Sequence, residues 1–214
     1  MAGIFKSGGT YEVTAGRTYS PVVLVNTTFE DDGYSVTLDN TFSAGTTFEV
    51  SNGGFLDLAG IASPSLLASF DIGNTGTLEI GSGVNLAIAS PFTFTNTAGT
   101  SAELIFSYGT NISLLTAGIS GFKQGSEIDL TGQTITGTDW DQATGLLTVT
   151  TTTGTETLAF QGTYTTSDSP ILDRTSCSRA SPMARSSTHR TGRSLSKPWQ
   201  QAIRSASHRV PCDR

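Results

Sequence analysis

Apolar and polar positions alternate in short runs along most of the chain. Tyr11 and Val13 alternate, as do Val36 and Leu38, Phe48 and Val50, and Leu56 and Leu58. The pattern continues through Leu78 and Ile80, then Val84, Leu86 and Ile88, then Phe92 and Phe94. It resumes at Leu104 and Phe106, Ile112 and Leu114, Ile128 and Leu130, Leu147 and Val149, and Leu158 and Phe160. A period of two puts such side chains on one face of a strand. The polar positions are rich in Thr, whose β-branched side chain fits a pleated surface. Gly recurs every few residues, keeping each strand short and supplying corners. Only Ile61–Phe70 (IASPSLLASF) suits a short helix, and Pro64 limits it.

A loose repeat lies on top of the alternation. Gly9-Thr-Tyr-Glu-Val, Gly45-Thr-Thr-Phe-Glu-Val, Gly76-Thr-Leu-Glu-Ile and Gly99-Thr-Ser-Ala-Glu-Leu share one grammar. A Gly-Thr corner leads into a strand whose outward position carries Glu. The starts lie 23 to 36 residues apart, which suits a β-solenoid whose coils tolerate insertions at corners. Each coil is too small to bury its own apolar face, so stacking builds the core. The fold expected is therefore all-β, a right-handed parallel β-helix over residues 1–168. A β-sandwich is the alternative, since it also uses many short strands with turn signals. The Gly-Thr grammar and the narrow choice of polar residues favour the solenoid.

Charge divides the chain. The total is −6, but up to Ser169 only Lys6, Arg17 and Lys123 stand against sixteen acidic residues. From Pro170 onward nine Lys and Arg stand against Asp173 and Asp213. Both Cys (Cys177, Cys212), both His (His189, His208) and Trp199 fall in this basic part. The first part is too poor in Lys and Arg to neutralise nucleic-acid phosphates or to hold an anionic membrane surface. No apolar run approaches about 18 residues, so no membrane-spanning helix is expected. Met1–Phe5 is not followed by the apolar region of a signal peptide.

The stretch from Gly118, GISGFKQGSEIDLTGQTITGTDWDQATGLLTVTTTTGTETLAFQGTYTTSD, is more distinctive. It resembles the repeat-rich region of large proteobacterial surface or secreted proteins of adhesin and autotransporter-passenger type. There a segment like Ile119–Leu130 precedes strands like Leu146–Val149 and Leu158–Gly162, and in many a Hint (hedgehog/intein) domain follows. The resemblance covers residues 45–168 and is clearest over 118–168. It implies an extracellular or cell-surface module without catalysis. Its partners would be a surface polysaccharide or a receptor on a host or neighbouring cell.

The residues themselves give a physical reading of this stretch. Phe122 would cap the apolar stack and Gly125 would make the turn. Ile128 and Leu130 would point inward. Glu127 and Asp129 would point outward together, as a solvated face rather than a Ca²⁺ pair, because the calcium-binding nonapeptide repeat is absent.

Residues 169–214 show no periodicity and read as an unstructured basic tail. A more specific reading exists. Back-translating Thr191–Ser205 with GC-rich codons and shifting the frame by one base gives D-G-E-V-A-V-E-A-L-A-A-G-D-P-V. That resembles the opening of a Hint domain, and the single codon of Trp199 followed by Gln forces an Ala that fits. A frameshift near Ser167–Pro170 would make Cys177 and Cys212 accidents of translation. The coding DNA decides this, and an early stop codon in the other frame would end the idea.

Few residues offer chemistry. Without Cys or His, residues 1–168 lack most catalytic triads and most zinc sites. Paired carboxylates remain for glycoside hydrolysis: Glu30, Asp31 and Asp32, or Asp139 and Asp141. Both groups lie beside Gly or Trp and read as loops, with only Arg17 and Lys123 as basic helpers. Trp140 could stack on a sugar ring, and packing at a corner or solenoid end is the simpler reading. No catalytic, cofactor or metal residue is therefore assigned, and no cofactor is expected. A structural or adhesive module is the reading preferred. A carbohydrate-active β-helix enzyme or a polysaccharide-binding module is the alternative, and a decayed reading frame a third. Exposed strand edges at the solenoid ends would favour self-association.

Overall fold

The computed structural model describes residues 2–39, 41–59, 67–82, 84, 91–107 and 118–164, with the backbone of Ile203–Arg204. The strands run in chain order as follows. The first are β1 (Ala2–Ser7), β2 (Thr10–Glu12), β3 (Thr18–Val25), β4 (Thr28–Asp32), β5 (Ser35–Leu38) and β6 (Thr41–Ser51). Next come β7 (Phe55–Leu58), β8 (Leu67–Ile72), β9 (Thr77–Ile80), β10 (Phe92–Phe94) and β11 (Ala102–Phe106). Then follow β12 (Ile119–Ser120), β13 (Ser126–Leu130), β14 (Ile135–Asp141), β15 (Leu146–Thr151), β16 (Thr155–Gln161) and β17 (Ile203–Arg204). There is no helix among the described residues.

The strands coil into a parallel β-solenoid. One face stacks β2, β4, the later half of β6, β8, β10 and β12 in parallel, and the end of β16 follows. A second face stacks the start of β3 on β5, β7, β9, β11, β13 and β17. The third stacks β1, the rest of β3 and the start of β6. Parallel pairing between successive coils excludes the antiparallel sandwich. After Leu130 the pattern changes. Strands β14, β15 and β16 form an antiparallel meander, and Phe160 and Gln161 then pair in parallel with Ile119 and Ser120.

Because the pairing is in register, each inward position becomes a column. Tyr11, Phe29, Phe48, Phe70 and Phe92 are successive partners on the first face. Their ring centroids lie 5.6, 5.8, 5.5 and 4.8 Å apart, within the range of favourable aromatic pairs. Ile119 and Phe160 continue the column. On the second face Val36, Leu56, Leu78, Leu104 and Ile128 form another, and Leu38, Leu58, Ile80, Phe106 and Leu130 a third. All the inward residues of these two columns are buried. Of the alternating pairs named from the sequence, those within the described residues lie in this core or pack against it. Leu86, Ile88, Ile112 and Leu114 lie outside those residues.

The Gly-Thr grammar marks corners rather than the repeat. Its copies at Gly9 and Gly45 open strands of the first face, while those at Gly76 and Gly99 open strands of the second. Gly9 and Gly45 are two coils apart, since Tyr11 pairs with Phe29 and Phe29 with Phe48. The copy between Gly9 and Gly45 is Asn26-Thr-Thr-Phe-Glu, where Asn26 takes the glycine place at φ +49°. Asn tolerates that left-handed conformation better than most residues. Corner groups also bond along the axis. Asn52 N–H donates to the Asn74 carbonyl at 2.6 Å, and Asn74 Oδ1 accepts from Thr97 N–H at 2.6 Å.

The stretch expected to allow a helix does not hold one at its end. Leu67–Phe70 belongs to β8, because its backbone finds parallel partners in β6 and Phe70 enters the aromatic column. Residues 60–66 lie outside the described part. Phe122 packs edge-on against Phe94 and Phe160, at 5.3 Å from each. Gly125 makes the expected turn at φ +92°, and a Cβ there would run into the Thr100 carbonyl. The same corner encloses Asn96, which is fully buried with both polar atoms of its amide bonded. Its Nδ2 donates to the Thr100 carbonyl at 2.7 Å and its Oδ1 accepts from Ser126 Oγ at 3.2 Å.

Candidate functional site

The outer surface is organised by the same register. Glu12, Glu30, Glu49 and Asp71 are successive outward partners on the first face, followed by Thr93, Ser120 and Gln161. On the second face Thr37, Asp57 and Glu79 form another outward column. Adjacent strands lie about 4.8 Å apart, so like charges stand side by side along the axis. Partial burial pushes the Glu49 carboxyl above its ordinary range, and the charges of Glu30 and Asp71 add to this. Asp57 is raised for the same reasons, burial first and Glu79 second, against a hydrogen bond from Thr37. Asp71 is raised by burial and held back by a hydrogen bond from Thr93. Hydroxyls support some of the acids: Ser107 Oγ donates to Glu79 Oε1 at 2.7 Å.

Glu30, Asp31 and Asp32 do not form a loop. They end strand β4, whose backbone pairs with β2 and β6. Alternation therefore separates them. Glu30 and Asp32 face out, while Asp31 faces in with 1% of its surface exposed. Asp31 occupies an inner column continued by Val50, Ile72 and Phe94. Its Oδ1 accepts from Tyr34 N–H at 3.0 Å, and its Oδ2 has no partner. Burial raises its pKa to about 6, with Tyr34 N–H opposing and the charge of Asp32 adding. Asp32 accepts from Asn52 Nδ2 at 2.6 Å and from Ser51 Oγ at 3.4 Å, so it ties one coil to the next.

A hollow of about 260 Å³ lies at this corner, walled by Glu30, Asp31, Asp32, Glu49, Ser51 and Asn52. It falls below the roughly 300 Å³ at which small-molecule sites begin. A raised, buried carboxyl is the form that a general acid takes. Asp31 nevertheless sits on the inward side of β4 and leaves only 1% of its surface exposed, too little to serve a substrate in the hollow. No set of three or more His, Cys, Asp or Glu among the described residues is placed to hold a metal ion.

Asp139 and Asp141 are likewise in a strand, β14, rather than a loop. Their backbone pairs with Thr148 and Leu146 of β15. Both are exposed. Hydrogen bonds from the Thr144 hydroxyl and the Ala143 N–H hold the Asp141 carboxyl below its ordinary range. It is thus the reverse of a proton donor tuned upward. Between them Trp140 turns to the other side and packs edge-on against Phe160 at 5.8 Å and Tyr164 at 6.0 Å. This is the packing role expected for it. A shallow hollow of about 250 Å³ lies beside it, lined in part by Gln142, Thr144 and Tyr164.

The remaining candidates are placed as follows. Ile128 and Leu130 point inward and Glu127 and Asp129 outward, as expected. The partner of Asp129 in β17 is Arg204. Arg17 lies over the Tyr19 ring at 5.6 Å, and Lys123 N–H donates to Ser126 Oγ at 3.2 Å. Cys177, Cys212, His189, His208, Trp199 and the boundary near Ser167–Pro170 lie outside the described residues. So does the tail over 169–214, apart from Ile203–Arg204. No family model, curated protein or solved structure matches the chain.

The signal that sequence reasoning missed is the column itself. Asp31 was visible only as one of three consecutive acids next to Gly33. The alternation of Phe29 with Asp31 would have placed it inward.

Proposed function

We propose that the chain is a structural or adhesive module of an exported, cell-surface protein, with no catalysis of its own. The observation that carries this reading is the column of outward residues Glu12, Glu30, Glu49 and Asp71. A surface that repeats the same group on successive coils is fitted to an extended partner contacted over several coils. It differs from a catalytic site, where unlike groups converge on one reacting atom. The carboxylates singled out from the sequence are spread over two strands with no pairing in common, and alternation turns Asp31 away from Glu30 and Asp32. A surface polysaccharide or a cell-surface receptor is the partner class proposed. The likeness of residues 118–168 to adhesin and autotransporter-passenger repeats supports the same location. A Hint domain in the original reading frame belongs to that reading too.

Incubation with a panel of neutral and acidic polysaccharides tests it. The expected result is retention of the protein on a polysaccharide or cell surface without release of reducing ends. Turnover that disappears in Glu30→Gln/Asp32→Asn or in Asp139→Asn/Asp141→Asn would establish the carbohydrate-active enzyme instead.

A further inference from the structure

The Asp31 corner differs from its counterparts on later coils. Position by position, the same inner column holds Val50, Ile72 and Phe94, all buried and apolar. Asp31 alone among these brings a carboxyl into the stack. Only Oδ1 is satisfied, by Tyr34 N–H, and Oδ2 has no partner. The space above is closed by Gly54, where a Cβ would stand 2.8 Å from the Asp31 carbonyl and 3.1 Å from its Cγ. A buried, half-satisfied carboxylate is costly unless it is neutral or moves to water.

The ionisable groups on the elements around the corner are mostly acids, with Arg17 on the adjoining β2–β3 corner as the cation, its carbonyl accepting from Thr37 N–H at 3.2 Å. Glu30 and Asp32 stand on β4, Glu12 and Tyr11 on β2, Glu49 on β6, and Tyr34 on the corner itself. Asp32 is the one whose charge bears on Asp31. The route to water is short. Gly33 follows at φ +93° and Tyr34 is 39% exposed, so the corner already lies at the surface.

We propose that the β4–β5 corner is a proton-operated latch, closed while Asp31 is neutral and released when Asp31 loses its proton to solvent. Release frees Tyr34 N–H and swings Asp32 away from Ser51 and Asn52. The next corner then loses these two side-chain ties and keeps the backbone bond from Phe55 N–H to the Tyr34 carbonyl. The latch therefore alters the acidic hollow between Glu30 and Glu49 without unwinding the aromatic column. The latch is independent of the partner proposed above, since it involves only proton binding at one corner.

Amide hydrogen exchange of the full chain tests it, read at Tyr34 and corrected for the intrinsic pH dependence of exchange. A displacement of Asp31 from its ordinary value to about 6 corresponds to a fall in protection on the order of a hundredfold between about pH 3.5 and 7. Asp31→Asn is expected to abolish that dependence, while Glu49→Gln retains it. Flat protection in the unaltered protein, or the same slope in Asp31→Asn, would overturn the latch. Should Asp31→Asn not fold, the Asp31 carboxyl is titrated by NMR in the unaltered chain. A midpoint near 6 supports the latch and one near 4 overturns it.

Discussion

Replacing Phe70 by Ala is expected to cost about 3–5 kcal/mol, the usual loss for a buried aromatic cut back to Ala. Phe70 is fully buried at the middle of the aromatic column. It stacks on Phe48 at 5.5 Å and on Phe92 at 4.8 Å, nearly parallel to both. Its removal therefore breaks two ring contacts as well as opening a cavity. Native domains are stable by only about 5–15 kcal/mol, so this one change consumes a large part of the total. Coils in a solenoid contact only their neighbours, and a break at β8 should separate the folding of the two ends. Thermal or urea unfolding followed by circular dichroism checks this. A lower midpoint with loss of a single transition is expected. A change below about 1 kcal/mol would mean that the column is not the core.

Acidification is expected to stabilise the protein, contrary to the behaviour of most folds. Asp31, Glu49, Asp57 and Asp71 all have folded-state pKa values above their ordinary ones. The folded chain therefore binds protons more tightly than the unfolded chain at these groups. Their contribution is fully present below the ordinary carboxylate range and is lost as pH rises through the raised values. For Asp31 the window runs from about pH 4 to about 6. This group alone is worth about 3 kcal/mol, or roughly 6–12 °C in Tm. Asp141 acts in the opposite sense, since its lowered value makes a contribution that is lost as pH falls. The maximum in stability should thus lie at about pH 4. Calorimetry across pH 4 to 8 checks this, and a Tm that rises steadily from pH 5 to 7.5 would contradict it. Added salt at neutral pH should also raise Tm, because it screens the outward column of Glu12, Glu30, Glu49 and Asp71.

The inner face was the legible part of the sequence. Alternation assigned Val36 and Leu38, Phe48 and Val50, and Ile128 and Leu130 to the core correctly, because a strand has one period whatever it pairs with. Which strand stacks on which was not legible. Gly-Thr marks a corner on either of two faces, and Asn26 hides one copy by adopting a glycine conformation. The pair Phe29 and Asp31 was lost for a related reason. Three acids before Gly33 read as a loop, yet pairing with β6 carries β4 through to Asp32. Leu67–Phe70 misled in the opposite direction, since SLLASF has helical composition and only pairing with β6 makes it a strand. At Trp140 the sequence reading and the structure agree, because the ring has Phe160 and Tyr164 to pack against.

In-register stacking underlies the aromatic core, the acidic surface and the Asp31 corner alike, and paired thiols test it most directly. In a background with Cys177 and Cys212 changed to Ser, Glu30→Cys is combined with Glu49→Cys or with Asp71→Cys. A short bis-alkylating bimane that fluoresces only when both thiols react is then added to the folded protein. Neighbouring coils place the first pair about 4.8 Å apart and the second about twice that. Bridging of the 30/49 pair with no bridging of the 30/71 pair is expected. Bridging of 30/71 in preference to 30/49 would mean that the coils are not stacked in this register, and the columns built on it would fall with it.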